Sequence, residues 1–261
     1  MNKQLTVCLG LTMLAALTVG AAENRVLVYT RNGPTDAGKK GFVHDNIAAA
    51  SAAISELGQA NGFGVDVSAD PTVFTDANLK NYRALVFNNS NNKAFDTEEQ
   101  KAAFQRYIRA GGGFVGIHSA CGSERKWPWF WQLIGGTFKM HPKFQSFTIK
   151  VMDRQHPSTV GYPTETFTWA DEFYFLTEMP ADLHILLAGD LAKLDFKDKA
   201  KCRTEKYGDW HPLAWCHEFE GGRAWYTALG HDKKSFADPL FRKHILGGIQ
   251  WAMGKNLLTF L

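Results

Sequence analysis

The stretch Gly111-Gly112-Gly113-Phe114-Val115-Gly116-Ile117-His118-Ser119-Ala120 decides the fold of this chain. A glycine run interrupts the preceding segment, a short apolar run with β character follows, and the chain then leaves at a polar residue. In open α/β sheets ligands bind where the strands end, so we predict that His118 points into the site. Proteins with a nucleophile elbow place Ser or Cys at such a turn. The alternative interpretation of His118 is a buried imidazole that hydrogen-bonds a backbone carbonyl.

Strand and helix patterns alternate on both sides of this stretch. Thr97 and Gln100 form a capping box that opens a helix ending near Gly111. From Phe144 onward the strand candidates are short, and a last helix closes the chain. The predicted strands are 26–29, 65–67, 84–87, the strand that ends at His118, 147–152, 183–188, 213–219 and 224–228, and the last helix is 239–253. This order predicts an α/β fold with a doubly wound, mostly parallel, flavodoxin-like sheet and an elaborated C-terminal half.

The first residues have the pattern of a secretory signal. Lys3 precedes an apolar run over 5–19, and Ala21 and Ala22 follow it. We predict cleavage after a signal peptide of residues 1–22, a single domain over 23–261, and a periplasmic or secreted protein. A retained membrane anchor is the alternative. The net charge of +3 on 261 residues predicts no nucleic-acid partner and, after cleavage, no membrane association.

Three cysteines follow the signal, so one disulfide is the maximum within the chain. Cys216 lies in a predicted strand, where cysteine is commonly a small buried apolar residue. Cys121 and Cys202 lie in loop-like polar segments and are the predicted pair. The alternative for Cys121 is a reactive thiol near His118.

The histidine, carboxylate and tryptophan side chains that could catalyse a reaction or bind a substrate lie mainly in predicted loops. Trp127-Pro128-Trp129 is either part of the core or a platform on which a sugar stacks. Asp171-Glu172 is either a solvated pair or helix cap, or a carboxylate that acts as a base or orients a metal. His141, His211 and His231 lack the short spacing of zinc fingers or of HExxH helices, so a metal site would have to assemble from distant loops.

Ordered segments along the chain resemble the ThuA-like, or trehalose-utilisation, family, and they cover nearly all of the mature sequence. They are 42–47, 113–118, 127–129, 135–136 with Phe138, 141–142, Asp153 with 156–157, 171–172, 211–217 and 221–227 leading to 230–231. The family implies a fold similar to class I glutamine amidotransferases. It does not imply amidotransfer, because His118 stands where an amidotransferase has its cysteine.

The resemblance also implies a role in disaccharide and 3-keto-glycoside metabolism, with a small carbohydrate substrate and a sugar dehydrogenase in the same pathway. The reaction would be acid/base or metal-assisted hydrolysis, elimination or isomerisation. We assign catalysis to His118, Glu172 and His231, and substrate binding to His44, Trp129, His141, Tyr174 and His211. A divalent metal such as zinc would bind His118, His141 and His231. The alternatives are a non-catalytic carbohydrate-binding protein and a hydrolase using Cys121 or Cys216.

Overall fold

The predicted strand before His118 lies in the middle of a nine-stranded sheet. The structure, a computed structural model, describes residues 24–254. The strands are β1 (Arg25–Tyr29), β2 (Gly64–Ser68), β3 (Ala84–Asn88), β4 (Gly113–Ile117), β5 (Thr137–Met140), β6 (Gln145–Val151), β7 (Thr166–Asp171), β8 (Phe175–Thr177), β9 (His184–Asp190), β10 (Trp210–Phe219) and β11 (Gly222–Thr227). The helices are α1 (Ile47–Ala60), α2 (Asp76–Leu79), α3 (Glu98–Arg109), α4 (Pro128–Ile134), α5 (Lys199–Cys202) and α6 (Pro239–Ala252).

The strand order confirms the predicted fold. The sheet reads β2-β1-β3-β4-β11-β10-β9-β6-β7, and β5 and β8 form a separate pair. The first five strands are parallel, in the 2-1-3-4-5 order of flavodoxin-like folds with β11 in fifth position. The remaining four alternate in direction and form the elaborated C-terminal half.

The passage from α3 into β4 follows from its sequence. Thr97 accepts a hydrogen bond from the Gln100 amide, and the Gln100 side chain accepts one from the Thr97 amide, which completes the predicted capping box. A Cβ atom at Gly112 would lie 2.3 Å from the Tyr107 ring, so glycine allows the helix to pack closely against the start of the strand. Every residue of β4 is buried, as expected for a strand covered on both faces.

The antiparallel half of the sheet curves back over the carboxyl ends of the parallel strands. Three strands separate β7 from β11 in the sheet order. Nevertheless Asp171, the last residue of β7, accepts hydrogen bonds from the backbone amides of Gly230 and His231 just after β11. This curvature brings the residue after β7 next to the residues that follow β4 and β11.

The predicted Cys121–Cys202 disulfide is wrong, because all three described cysteines are free. Cys121 lies in the core, where the Tyr226 hydroxyl is 3.1 Å from its sulfur, whereas Cys202 ends the short surface helix α5. The prediction of a buried, unpaired Cys216 is confirmed. The predicted signal peptide lies outside the described residues. Within 24–254, every helix is too short or too polar to span a bilayer.

Burial of His244 on α6 is expected to make stability pH-dependent. Burial lowers the pKa of His244 from 6.5 to about 4. The unfolded chain therefore binds the proton more readily, and stability falls as the pH drops from about 6.5 towards 4. His244 alone should contribute a loss of about 2 kcal/mol at pH 5 relative to pH 7.5.

Urea unfolding at both pH values, on the original protein and on His244→Asn, checks this expectation. Asparagine retains a donor for the Ser158 carbonyl that His244 bonds at 2.9 Å, but it does not titrate. The variant should therefore lose about 2 kcal/mol less stability between pH 7.5 and pH 5. Equal losses in the two proteins would contradict the prediction.

Candidate functional site

His118 is held in one orientation at the end of β4. Its backbone adopts a left-handed conformation with φ 49°, and its side chain is fully buried. Nδ1 donates a 2.7 Å hydrogen bond to the Ala228 carbonyl, and the Tyr226 hydroxyl donates to the His118 carbonyl at 2.8 Å. Nε2 is therefore the ring nitrogen that this carbonyl leaves available to the site. His118 thus combines both interpretations, since it bonds a backbone carbonyl and also directs a free nitrogen into the site.

Glu172 and His231 lie directly against that free nitrogen. His231 Nδ1 is 3.1 Å from Glu172 Oε2 and 3.3 Å from His118 Nε2, and Glu172 Oε2 is 3.5 Å from His118 Nε2. The hydrogen bond to Glu172 raises the pKa of His231 above its usual value. Burial works against ionisation of Glu172, but the contacts with His118 and His231 outweigh it and hold the pKa of Glu172 well below its usual range.

Asp171 fixes the backbone on which this arrangement rests. It is fully buried and accepts four hydrogen bonds, from the amides of Glu172, Gly230 and His231 and from Trp169 Nε1. Burial raises the pKa of Asp171 above its usual value. The interpretation of Asp171-Glu172 as a solvated pair or helix cap is therefore wrong, because the two carboxylates bind inside the structure.

His44 completes the group from the loop after β1. Its ring is 4.8 Å from that of His118 and 5.3 Å from that of His231, measured between centroids, and both contacts are edge-on. Burial lowers the pKa of His44 to about 3. Its Nδ1 is buried and has no hydrogen-bond partner among the described residues. Next to it, Asn46 donates to the backbone carbonyls of Gly230 and His231 and so ties this loop to the end of β11.

One donor atom from each of His44, His118, Glu172 and His231 lies within 4.8 Å of the other three. We call these four residues the donor cluster. The structure thus brings together all three predicted catalytic residues, at the predicted edge of the sheet, and adds His44 to them.

A cavity of about 270 Å³ opens above the donor cluster. Its volume is near the lower end of small-molecule sites, which suits a ligand about the size of one sugar ring. Both aromatic and polar side chains line it. The lining residues are Phe42, His44, Asn91, Ser119, Gly122, Arg125, Phe138, His141, Glu172 and Tyr174.

His141 and Tyr174, both predicted to bind substrate, line this cavity. The Tyr174 ring lies 4.2 Å from the His118 ring between centroids. His141 Nδ1 donates to the Pro142 carbonyl at 2.8 Å and is 3.5 Å from Glu172 Oε1. His141 therefore lies beside the donor cluster rather than in it. The predicted metal ligands were His118, His141 and His231, whereas the donor cluster contains His44 instead of His141.

Trp129 does not reach the cavity, so its predicted role as a sugar platform is wrong. Its Nε1 donates to Glu220 at 2.9 Å, and its ring packs against Phe104 and Phe219. Glu220 precedes β11, so Trp129 lies at the amino end of the parallel strands, opposite the donor cluster. Phe42 is the aromatic side chain that is both exposed and part of the cavity wall.

His211 also lies outside this cavity, which corrects its assignment as a substrate-binding residue there. It is buried on β10 and packs against the rings of Phe173 and Phe175. It borders a separate cavity of about 420 Å³. Burial lowers the pKa of His211 to about 4.

The sequence analysis missed several polar residues of the site, above all those after β3. The run Asn88-Asn89-Ser90-Asn91-Asn92 begins with the last residue of the buried strand β3, and Asn91 lines the cavity. The sequence around Asn46 gave no sign of a role for it. Its side-chain amide nevertheless joins the loops after β1 and β11 and contacts Asn89. The rule that ligands bind at strand ends could have identified the asparagine run, since it follows β3 directly.

Comparisons with known proteins agree with this fold. Residues 25–252 match the ThuA family, described as trehalose utilisation. Among curated proteins none matches the sequence. A ThuA-like protein from Bacteroides uniformis is 24% identical, with a TM-score of 0.69. The comparison covers 94% of this chain and 97% of that chain.

Two further solved structures are similar at lower identity. A ThuA-like protein from Parabacteroides merdae is 19% identical, with a TM-score of 0.66 and coverage of 89% of this chain and 90% of that one. A β-galactosidase from Rahnella sp. R3 is 14% identical, with a TM-score of 0.52 and coverage of 90% of this chain and 32% of that one. At these identities the three structures show a shared fold. The match over 25–252 shows that the chain belongs to the ThuA family, related to trehalose utilisation.

Proposed function

We propose that this protein is a carbohydrate-active enzyme that moves a proton on an oxidised sugar, with a 3-keto-glycoside as substrate class. One observation carries the proposal: a carboxylate and several imidazoles meet at the floor of a cavity that is the size of a sugar ring. The family's link to trehalose utilisation supports a sugar as the ligand.

The cavity wall supports this ligand class by its mixture of surfaces. Phe42, with 64% of its surface exposed, offers an apolar face of the kind that packs against the C–H groups of a sugar. Asn91, Ser119 and Arg125 offer hydrogen-bond donors and acceptors for hydroxyl groups. The predicted stacking role thus passes from Trp129 to Phe42.

The chemistry follows from the ketone. A carbonyl at C3 acidifies the C–H bond at C2, so a base takes that proton and the electron pair moves onto the ketone oxygen. When the C3 carbonyl re-forms, the electron pair can make a C1–C2 double bond while the C1–O bond breaks, and the glycosidic partner leaves with the bonding pair of that bond. Protonation of the enolate at another position gives isomerisation instead. Glu172 and His141 line the cavity, and either could accept the proton. His118 and His231 act through Glu172.

The substrate class requires a second enzyme that oxidises the sugar at C3, so we propose a sugar dehydrogenase as the supplier. The signal-like residues 1–22 support an exported, periplasmic or secreted site of action. The cysteine-hydrolase alternative loses support. Burial raises the pKa of both Cys121 and Cys216 to about 12, so both thiols are protonated at neutral pH.

Incubation with 3-keto-trehalose in D₂O, followed by NMR, tests the proposal. We expect deuterium at C2, or release of the second sugar, faster than in buffer. Unoxidised trehalose is the control, and its C2–H should not exchange because no carbonyl acidifies it. Saturable binding of 3-keto-trehalose without exchange or release would overturn the proposal and favour the non-catalytic carbohydrate-binding protein.

A further inference from the structure

We propose that the donor cluster, His44, His118, Glu172 and His231, binds one divalent transition-metal ion of the zinc class. The inference deepens the proposed function because it concerns the floor of the same cavity. It assigns a different task to these side chains, namely ligation. His141 then remains as the imidazole beside the metal that is free to move a proton.

The distances in the donor cluster match a metal coordination sphere. Ligand atoms about 2.1 Å from a tetrahedral ion lie roughly 3.4 Å from one another. The three separations among His118 Nε2, His231 Nδ1 and Glu172 Oε2 in the structure are 3.1, 3.3 and 3.5 Å. These atoms therefore already form one face of a tetrahedron. His44 supplies the fourth donor, within 4.8 Å of all three.

The hydrogen bonds around the donor cluster direct lone pairs inwards. His118 donates from Nδ1 to the Ala228 carbonyl, an outer-shell contact typical of ligating histidines, and this leaves Nε2 free to ligate. His231 Nδ1 faces two acceptors, His118 Nε2 and Glu172 Oε2, so a proton on Nδ1 holds the three together. Metal binding would release that proton and replace it with a stronger bridge.

Burial argues that the cluster serves an ion rather than direct contact with a substrate. His118 has no exposed surface, and its free nitrogen faces other donors instead of the cavity. His44 has a buried nitrogen with no partner among the described residues, which ordinarily carries an energetic penalty. Bound metal would explain why imidazole nitrogens converge here.

The ligand types select the class of ion. Three imidazoles and one carboxylate suit zinc and its neighbours, whereas magnesium and calcium prefer all-oxygen sites. His44 and Glu172 also line the cavity, so an ion between them would face a bound sugar. From there it would polarise the ketone oxygen as a Lewis acid.

Titration of the chelator-treated full chain with Co²⁺, followed by visible absorption and by zinc competition, tests the site. We expect one ion per chain and a Co²⁺ spectrum typical of four or five ligands. His44→Gln and His231→Gln should each weaken affinity at least about 100-fold. His184→Gln is the matched control, because His184 is an exposed histidine that pairs with Asp153 outside the cavity. His141→Gln should also retain affinity, because His141 lies outside the donor cluster.

Zinc should raise the melting temperature of the original protein and of both control variants, but not of the ligand variants. The inference is overturned if the original protein binds no stoichiometric ion, or if His184→Gln weakens binding as much as His231→Gln. These readings need no substrate. Metal binding without deuterium exchange or sugar release would therefore refute the proposed function alone, and exchange or release by a protein that binds no stoichiometric ion would refute this inference alone.

Discussion

Glu172→Gln is expected to lower kcat/KM on a 3-keto-glycoside by about 10²–10⁴-fold. The substitution preserves the shape of the side chain but removes the negative charge that contacts His118, His141 and His231. The amide neither accepts a proton nor neutralises an imidazolium. Initial rates with the substrate of the NMR assay measure the effect.

Glu165→Gln is the matched control for this experiment. Glu165 forms an exposed ion pair with Lys150 at 3.0 Å and lies before β7, at the end of that strand away from the cavity. Its replacement should leave the rate within about twofold, because exposed ion pairs contribute little. If Glu172→Gln retained more than a tenth of the original activity, Glu172 would have no direct part in the reaction.

Asp171→Ala is expected to lower the free energy of unfolding by about 3–5 kcal/mol. The substitution leaves three backbone amides and Trp169 Nε1 without their acceptor inside the protein. Urea denaturation followed by tryptophan fluorescence measures the loss. Asp171→Asn retains one acceptor oxygen, so its free energy of unfolding should lie between those of the original protein and of Asp171→Ala.

Asp209→Ala provides the comparison, since Asp209 pairs with Arg203 at the surface. That change should shift the free energy of unfolding by no more than about 0.5 kcal/mol. A loss below about 1 kcal/mol for Asp171→Ala would mean that water replaces the missing carboxylate, and that Asp171 does not hold the ends of β7 and β11 together.

The sequence was sufficient for the parallel half of the fold because its signals are local. Buried β-rich runs and the capping box at Thr97 mark elements directly, and parallel strands end at one edge of a sheet. That rule placed His118 and His231 together before any contact was known. The same rule applied to the asparagines after β3 would have extended the site.

The remainder depended on contacts that no local pattern encodes. The curvature that carries Asp171 to the end of β11 arises across three intervening strands. An aromatic cluster such as that of Trp129 has the same appearance at either end of a strand, so its side of the sheet was undetermined. The cysteine pairing failed for a similar reason, because the polar sequence around Cys121 concealed its position in the core.

The closure of β7 over β11 has a consequence for how the protein matures. The partners in and around the cluster are far apart along the chain: their residue numbers differ by 113 for His118 and His231, by 59 for Asp171 and Gly230, and by 185 for Asn46 and His231. Chain closures of this length are slow, and no short segment holds a preformed subset of the cluster. A nascent chain that has not yet emerged past His231 therefore lacks the site altogether. The protein would become able to bind a ligand in a single late step of folding, when β11, the last strand, joins the sheet.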